Sequence, residues 1–172
     1  VALNCGRKSN WEKAKWTLQE LKKRTKIHIH TDLLAGLPGE NYASVLNGLN
    51  EVCATLPAAV QLGILKILPD TLMQKIALDL NYKWHNQPPY QCFSSDALSF
   101  EEMYQLENFA KLLSLYWNKE EHKIMWQEML QKHTATDILC ALQQKHKELG
   151  YELHSLSKAK RDAVITAVYE RC

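Results

Sequence analysis

No two cysteines of this chain lie close together: Cys5, Cys53, Cys92, Cys140 and Cys172 are scattered along 172 residues. That spacing excludes a CxxC or CxxxCxxC loop, and with it a zinc or iron–sulfur site built from one local segment. An odd, dispersed set also fits a reducing cytoplasm better than a disulfide framework. Charge of one sign is lacking as well. The 21 basic and 19 acidic side chains leave a formal net charge of +2, so nothing in the balance calls for a nucleic-acid partner. Long apolar runs are missing: a stretch such as Val60–Leu68 falls well short of the roughly 20 residues that cross a bilayer. No signal peptide opens the chain. It starts at Val1, without a methionine and directly in polar, helix-like sequence, which reads as a piece of a longer protein.

What is present is regular periodicity in an ordinary globular composition, 46% apolar, long enough for one domain or one and a half. Ser9 and Glu12 form a capping-box pattern. It predicts a helix to about Lys23 with Trp11, Ala14, Leu18 and Leu21 inward and a solvated basic end, Lys22, Lys23, Arg24 and Lys26. Ile27–Ala35 reads as a strand covered on both faces. A sharp loop, Gly36-Leu37-Pro38-Gly39-Glu40, leads to a helix over Asn41–Thr55 that buries Val45, Leu46, Leu49 and Val52. Val60–Ile67 is a second apolar strand, and a further helix runs to about Leu80 with Asp70 as its cap. This is βαβ spacing, so the two strands should be parallel. Asn81–Ala97 has no clear period and reads as a linker or an ordered excursion.

Beyond it the pattern is helical. Ser99 and Glu102 form a second capping box for a helix to about Trp117, with Met103, Leu106, Phe109, Ala110, Leu113 and Tyr116 on one face. Asn118 begins another helix, with Ile124, Trp126, Met129 and Leu130 inside. A third spans Ala135–Leu149 and stops at Gly150, and Ser157 caps a last one carrying Val164, Ile165 and Val168.

The chemistry-bearing candidates are few. A strand that ends in a glycine loop before a helix puts backbone amides where an anionic or polar ligand can dock, although such turns are also common as plain connections. His28 and His30 share a strand face, a spacing that could bind metal, but with no third ligand nearby a core or hydrogen-bonded role is the simpler reading. His122 and His133 lie on helices without partner spacing. Asp32 could orient a ligand or be a buried carboxylate bonded to backbone. Trp84, Tyr90, Phe93, Tyr116, Trp117 and Trp126 could line a cavity for a large flat molecule, though aromatics at helical spacing usually form core.

The segment DLLAGLPGE, Asp32–Glu40, resembles the DLIxGLPGE segment on the fifth strand of radical S-adenosylmethionine enzymes, including oxygen-independent coproporphyrinogen oxidases and cobalamin-domain radical enzymes. The likeness extends in order along the chain. Cys5-Gly6-Arg7-Lys8-Ser9 is similar to the segment after the family's fourth strand. VQLGILKILPDTLM, Val60–Met73, is similar to the sixth strand and its exit, with Asp70 where the family usually has glycine. QPPYQCFSSDALSFEEMYQLENFAKLLSLYWN, Gln87–Asn118, resembles the opening of a C-terminal domain of unknown function behind one group of cobalamin-domain enzymes.

The resemblance implies an α/β, helix-rich chain: the last strands of a (β/α) partial TIM-like barrel in residues 1–86, then an α-helical domain in 87–172. It implies that Gly36, Leu37, Pro38 and Gly39 pack near the adenosine part of the cofactor, and that Ile67 and Leu68 lie beside its adenine. The parent would be an Fe–S oxidoreductase or transferase using S-adenosylmethionine and a [4Fe–4S] cluster, with cobalamin as a further cofactor, of the group often labelled magnesium-protoporphyrin IX monomethyl ester oxidative cyclase. The CxxxCxxC cluster loop is not in this chain. The chain itself would therefore hold no cofactor and no activity, and would close the barrel and shape the substrate side. Its partners would be the rest of the parent chain or another copy through an open strand edge, with no membrane and no nucleic acid. The alternative is a helical protein- or RNA-interaction module without catalysis, which has no need of two buried parallel strands.

Overall fold

The computed structural model describes residues 10–172; the capping serine expected at Ser9, and the segment Cys5–Ser9, lie outside them. Helix α1, Trp11–Arg24, is capped instead by Asn10, whose side chain accepts from the Lys13 amide at 3.0 Å. No α1 residue is fully buried: Trp11, Leu18 and Leu21 are half-buried, and Ala14 is exposed. The basic last turn complements the helix C-terminus as expected.

Strand β1, His30–Ala35, and strand β2, Ala59–Ile64, pair in parallel, with Thr31 opposite Val60 and Ala35 opposite Ile64. Helix α2, Tyr42–Ala54, connects them and buries Val45, Leu49, Val52 and Cys53. It packs on β1 at Gly48, where a Cβ would make an ordinary contact with Leu33 at 3.7 Å. The βαβ reading therefore holds, but β1 is covered on one face only. Its burial alternates, with His30, Asp32 and Leu34 exposed and Ala35 buried. No described strand pairs with the outer edge of β1.

Beyond Ile64 the pairing of the strand changes partner. The Leu65 amide donates to Ala35 O at 2.9 Å, while its carbonyl accepts from Cys92 at 2.9 Å. The Ile67 amide donates to Tyr90 O at 2.8 Å, and Lys66 bridges Gln91. Of the two readings of this segment, a linker or an ordered excursion, the second holds: it is a short antiparallel hairpin, β3 (Lys83–Trp84) with β4 (Cys92–Ser94), bonded to the chain beyond β2. Between β2 and the hairpin lies helix α3, Leu72–Asp79. Its cap is Thr71, not Asp70, because Asp70 adopts φ +59 and cannot take the extended backbone of a cap.

Helix α4, Phe100–Leu112, has the predicted capping box of Ser99 and Glu102. It continues as a π-helical turn, Leu113–Trp117. Asn118 does not start a helix. Its side chain accepts from the Val60 amide at 2.9 Å and donates to Val60 O at 3.0 Å. It therefore bonds β2 as a neighbouring strand would. A 3₁₀ turn, Glu120–His122, leads into α5, Lys123–Met129; Trp126 and Met129 are buried there, but Ile124 is exposed. Helix α6, Ala135–Leu149, ends at Gly150 with φ +64, and α7, Lys158–Tyr169, is capped by Ser157. The α4 helix and π turn pack on β2, α6 packs on α2 and α4, and α7 on α6, so the buried side chains form one cluster. Asn50 of α2 ties α6 in place, donating to Thr136 Oγ1 at 3.0 Å and accepting from the Thr136 amide at 2.9 Å.

Candidate site at the strand ends

The C-terminal ends of β1 and β2 meet the hairpin and α4. The loop after β1 needs its glycines: Gly36 has φ +95 and Gly39 φ +78. A Cβ on Gly36 would stand 3.4 Å from both Leu65 and Met103 of α4, a close but ordinary contact, so it is the positive φ that favours glycine here. The loop then folds onto its own glutamate. The Glu40 carboxylate, almost fully buried, accepts from the Gly36 amide at 2.9 Å and the Leu37 amide at 3.2 Å. From the other side the buried Tyr82 hydroxyl donates to Gly36 O at 2.9 Å. Burial pushes the Glu40 carboxyl above its ordinary range, and the two amide bonds pull the other way.

The amides expected to dock an anionic ligand are therefore occupied by a side chain of the same loop. Of the other residues singled out, Ile67 is fully buried with its amide bonded to Tyr90, and Leu68 is 47% exposed. The structure brings the Gly36–Gly39 loop and the Ile67–Leu68 exit to the same end of the strand pair through the Ala35–Leu65 bond.

Beside Met103 lies a cavity of about 290 Å³ lined by His85, Gln91, Phe93, Phe100, Met103, Tyr104 and Glu107. Aromatic edges build its wall: His85 meets Phe93 at 5.5 Å and Phe93 meets Phe100 at 6.5 Å between ring centroids. Gln91 and Glu107 hydrogen-bond to each other at its rim. Sequence reasoning flagged Phe93 alone of these. The others could not be paired because β3 and β4 are too short to show a pattern. Glu40 and Tyr82 were missed too, although a glutamate four residues after the first glycine was a legible sign of a self-bonded loop.

The remaining candidates resolve differently. His28 and His30 are exposed, not core, and Asp32 lies exposed on the open face of β1. The solvent faces left by one-sided cover account for all three. His122 does have a partner, across the fold: its Nε2 lies 2.9 Å from Asp162 of α7. Glu121, His122 and Asp162 converge closely enough to hold a cation among the described residues. Yet Lys158 already pairs with Asp162 at 2.7 Å and Arg161 approaches Glu121 at 3.9 Å, which neutralises the carboxylates. Tyr116, Trp117 and Trp126 are core. Burial pushes the Cys53 thiol up to about 12 and the Cys92 thiol up to about 11, so neither is a thiolate nucleophile. No helix of the described residues is long and apolar enough to cross a membrane.

The strand ends thus offer a largely apolar, aromatic cavity whose polar groups are His85, Gln91 and Glu107. No curated protein matches the chain. Residues 79–169, which run from the end of α3 through the hairpin and every later helix, match the family described as "protein of unknown function (DUF4080)"; they make up more than half of the chain, and the chain belongs to that family.

Proposed function

We propose that this chain is the C-terminal portion of a radical S-adenosylmethionine Fe–S oxidoreductase, in which β1 and β2 are the fifth and sixth strands of a partial barrel. The observation that carries the reading is the parallel β1–β2 pair, which ends in a glycine loop stapled by Glu40 and whose outer edge has no strand beside it among the described residues. A fourth strand of the parent would fill that edge. The opposite edge of β2 is met at Val60 by a side chain, Asn118, as suits a barrel that stops at its sixth strand.

A second support comes from Asp70. The resembled segment usually has glycine there, and the backbone stands at φ +59, the region glycine favours and aspartate tolerates. In this reading Gly36–Gly39 and Ile67–Leu68 border the adenosine of the cofactor. The hairpin and α4 close the substrate side, and the chain alone turns nothing over. Cluster ligands would come from upstream in the parent, and cobalamin, if used, from a domain further upstream. The test is the coding sequence 5′ of Val1. A CxxxCxxC motif there, in the loop after the first of four upstream strands, is the expected result; an upstream sequence without clustered cysteines overturns the proposal.

A further inference from the structure

A second cleft lies between α4 and α6 and meets the cavity at the strand ends along Phe100 and Tyr104. It holds about 630 Å³, within the range of small-molecule sites. Most polar groups along its middle are already spent. Gln143 donates to Gln105 Oε1 at 3.1 Å across the cleft. Both ring nitrogens of His146 are used, Nε2 on the Tyr116 hydroxyl at 2.6 Å and Nδ1 on Tyr151 O at 3.2 Å. Asn108 differs. It is 5% exposed, it lines the cleft, and its amide has no hydrogen bond among the described residues. The amide still reaches the cleft's solvent, so water or a ligand lodged there can bond it.

One turn before Asn108 on the same helix stands Tyr104, stacked on Phe100 with ring planes 10° apart. Both rings are more than half exposed, at 54% and 56%, at the mouth of this cleft. Residues four apart on a helix lie about 6 Å from each other, so an aromatic platform and a free donor–acceptor amide face one space. A ring stacked on the platform can present its hydrogen-bonding edge to Asn108. The cleft is also bordered by Lys111 and Lys147 against Glu101 and Glu152, so its charge is balanced and does not select an ion.

We infer that the cleft between α4 and α6 binds a single nucleobase, free or as a nucleoside, stacked on Tyr104 and Phe100 and read by the Asn108 amide. A side-chain amide meets the adjacent donor and acceptor of a base edge with two bonds, and aromatic stacking accepts any base face. The inference does not depend on the strands belonging to a barrel.

The test is a titration of the 172-residue chain, ¹⁵N-labelled, with adenosine, guanosine, cytidine and uridine in turn, and with ribose and methyl glucoside as ring-free controls. The expected result is saturable binding of at least one nucleoside that shifts the Asn108 side-chain amide and the Tyr104 backbone. Ribose and glucoside should have no effect, and raising the salt from ~50 to ~500 mM, which screens charge contacts, should leave affinity unchanged. Asn108→Leu should weaken binding about tenfold or more. Tyr104→Ala, at an exposed position that leaves folding intact, should do the same. Binding of the sugars as tightly as the nucleosides, no saturable binding of any nucleoside, or unchanged affinity in Tyr104→Ala would overturn the inference.

Discussion

Single side chains hold the loop after β1, and they yield the sharpest mutational expectations. Glu40→Ala leaves the Gly36 and Leu37 amides without their acceptor. The expected loss is about 1–3 kcal/mol of unfolding free energy by chemical denaturation, with Glu40→Gln losing less because its amide oxygen still accepts. Gly36→Ala combines a positive φ with contacts at 3.4 Å, whereas Gly150→Ala has φ +64 but open space around it. Both pay backbone strain of about 1 kcal/mol or more, and Gly36→Ala should be the worse in melting temperature. Asp70→Gly should be neutral or slightly stabilising, since it relieves a strained residue.

His146 gives a pH dependence. It is buried, and its Nδ1 faces a carbonyl oxygen, so Nδ1 carries the proton and Nε2 accepts from Tyr116. Burial lowers its pKa in the fold, the hydrogen bonds to backbone opposing in part. The unfolded chain takes up the proton first, near pH ~6.5. Stability is therefore fully present above that value and falls as the pH drops below it. Urea midpoints measured from pH ~7 to ~5 should decline for the wild-type chain, and the decline should shrink in His146→Gln.

At the level of elements, legibility followed the length of the periodic signal. Helices α4, α6 and α7 announced themselves through caps at Ser99 and Ser157, the stop at Gly150 and long apolar faces. The β1–β2 pair was legible from its spacing around one helix. Its half-open cover was not, because Ile27–Ala35 is apolar enough to suggest burial that no described element supplies. The hairpin was missed since strands of two and three residues carry no period; backbone bonds to Leu65 and Ile67 create it. Asn118 reads as a helix cap in sequence and acts as a strand surrogate in space. Asn118→Ala should therefore cost about 1–3 kcal/mol and increase hydrogen exchange at the Val60 amide specifically; a loss confined to the 120–129 helical segment would contradict that role.

For the whole molecule, the open edge of β1 has consequences. Unpaired strand edges recruit other strands, and Leu34 is 38% exposed beside this one. The isolated chain should form dimers or larger species at high concentration. Light scattering over a tenfold dilution series should show the mass rising above 19.9 kDa; a constant 19.9 kDa would mean the edge is covered. The central claim reaches further, to the parent protein. It is tested most directly by purifying the complete product of the gene without oxygen and measuring its iron, its sulfide and its cleavage of S-adenosylmethionine. The account predicts about four irons and four sulfides per chain, as in a [4Fe–4S] cluster, release of 5′-deoxyadenosine under reduction, and neither property in residues 1–172 alone. A complete product that binds no cluster, or an isolated 172-residue chain that binds one, would contradict it.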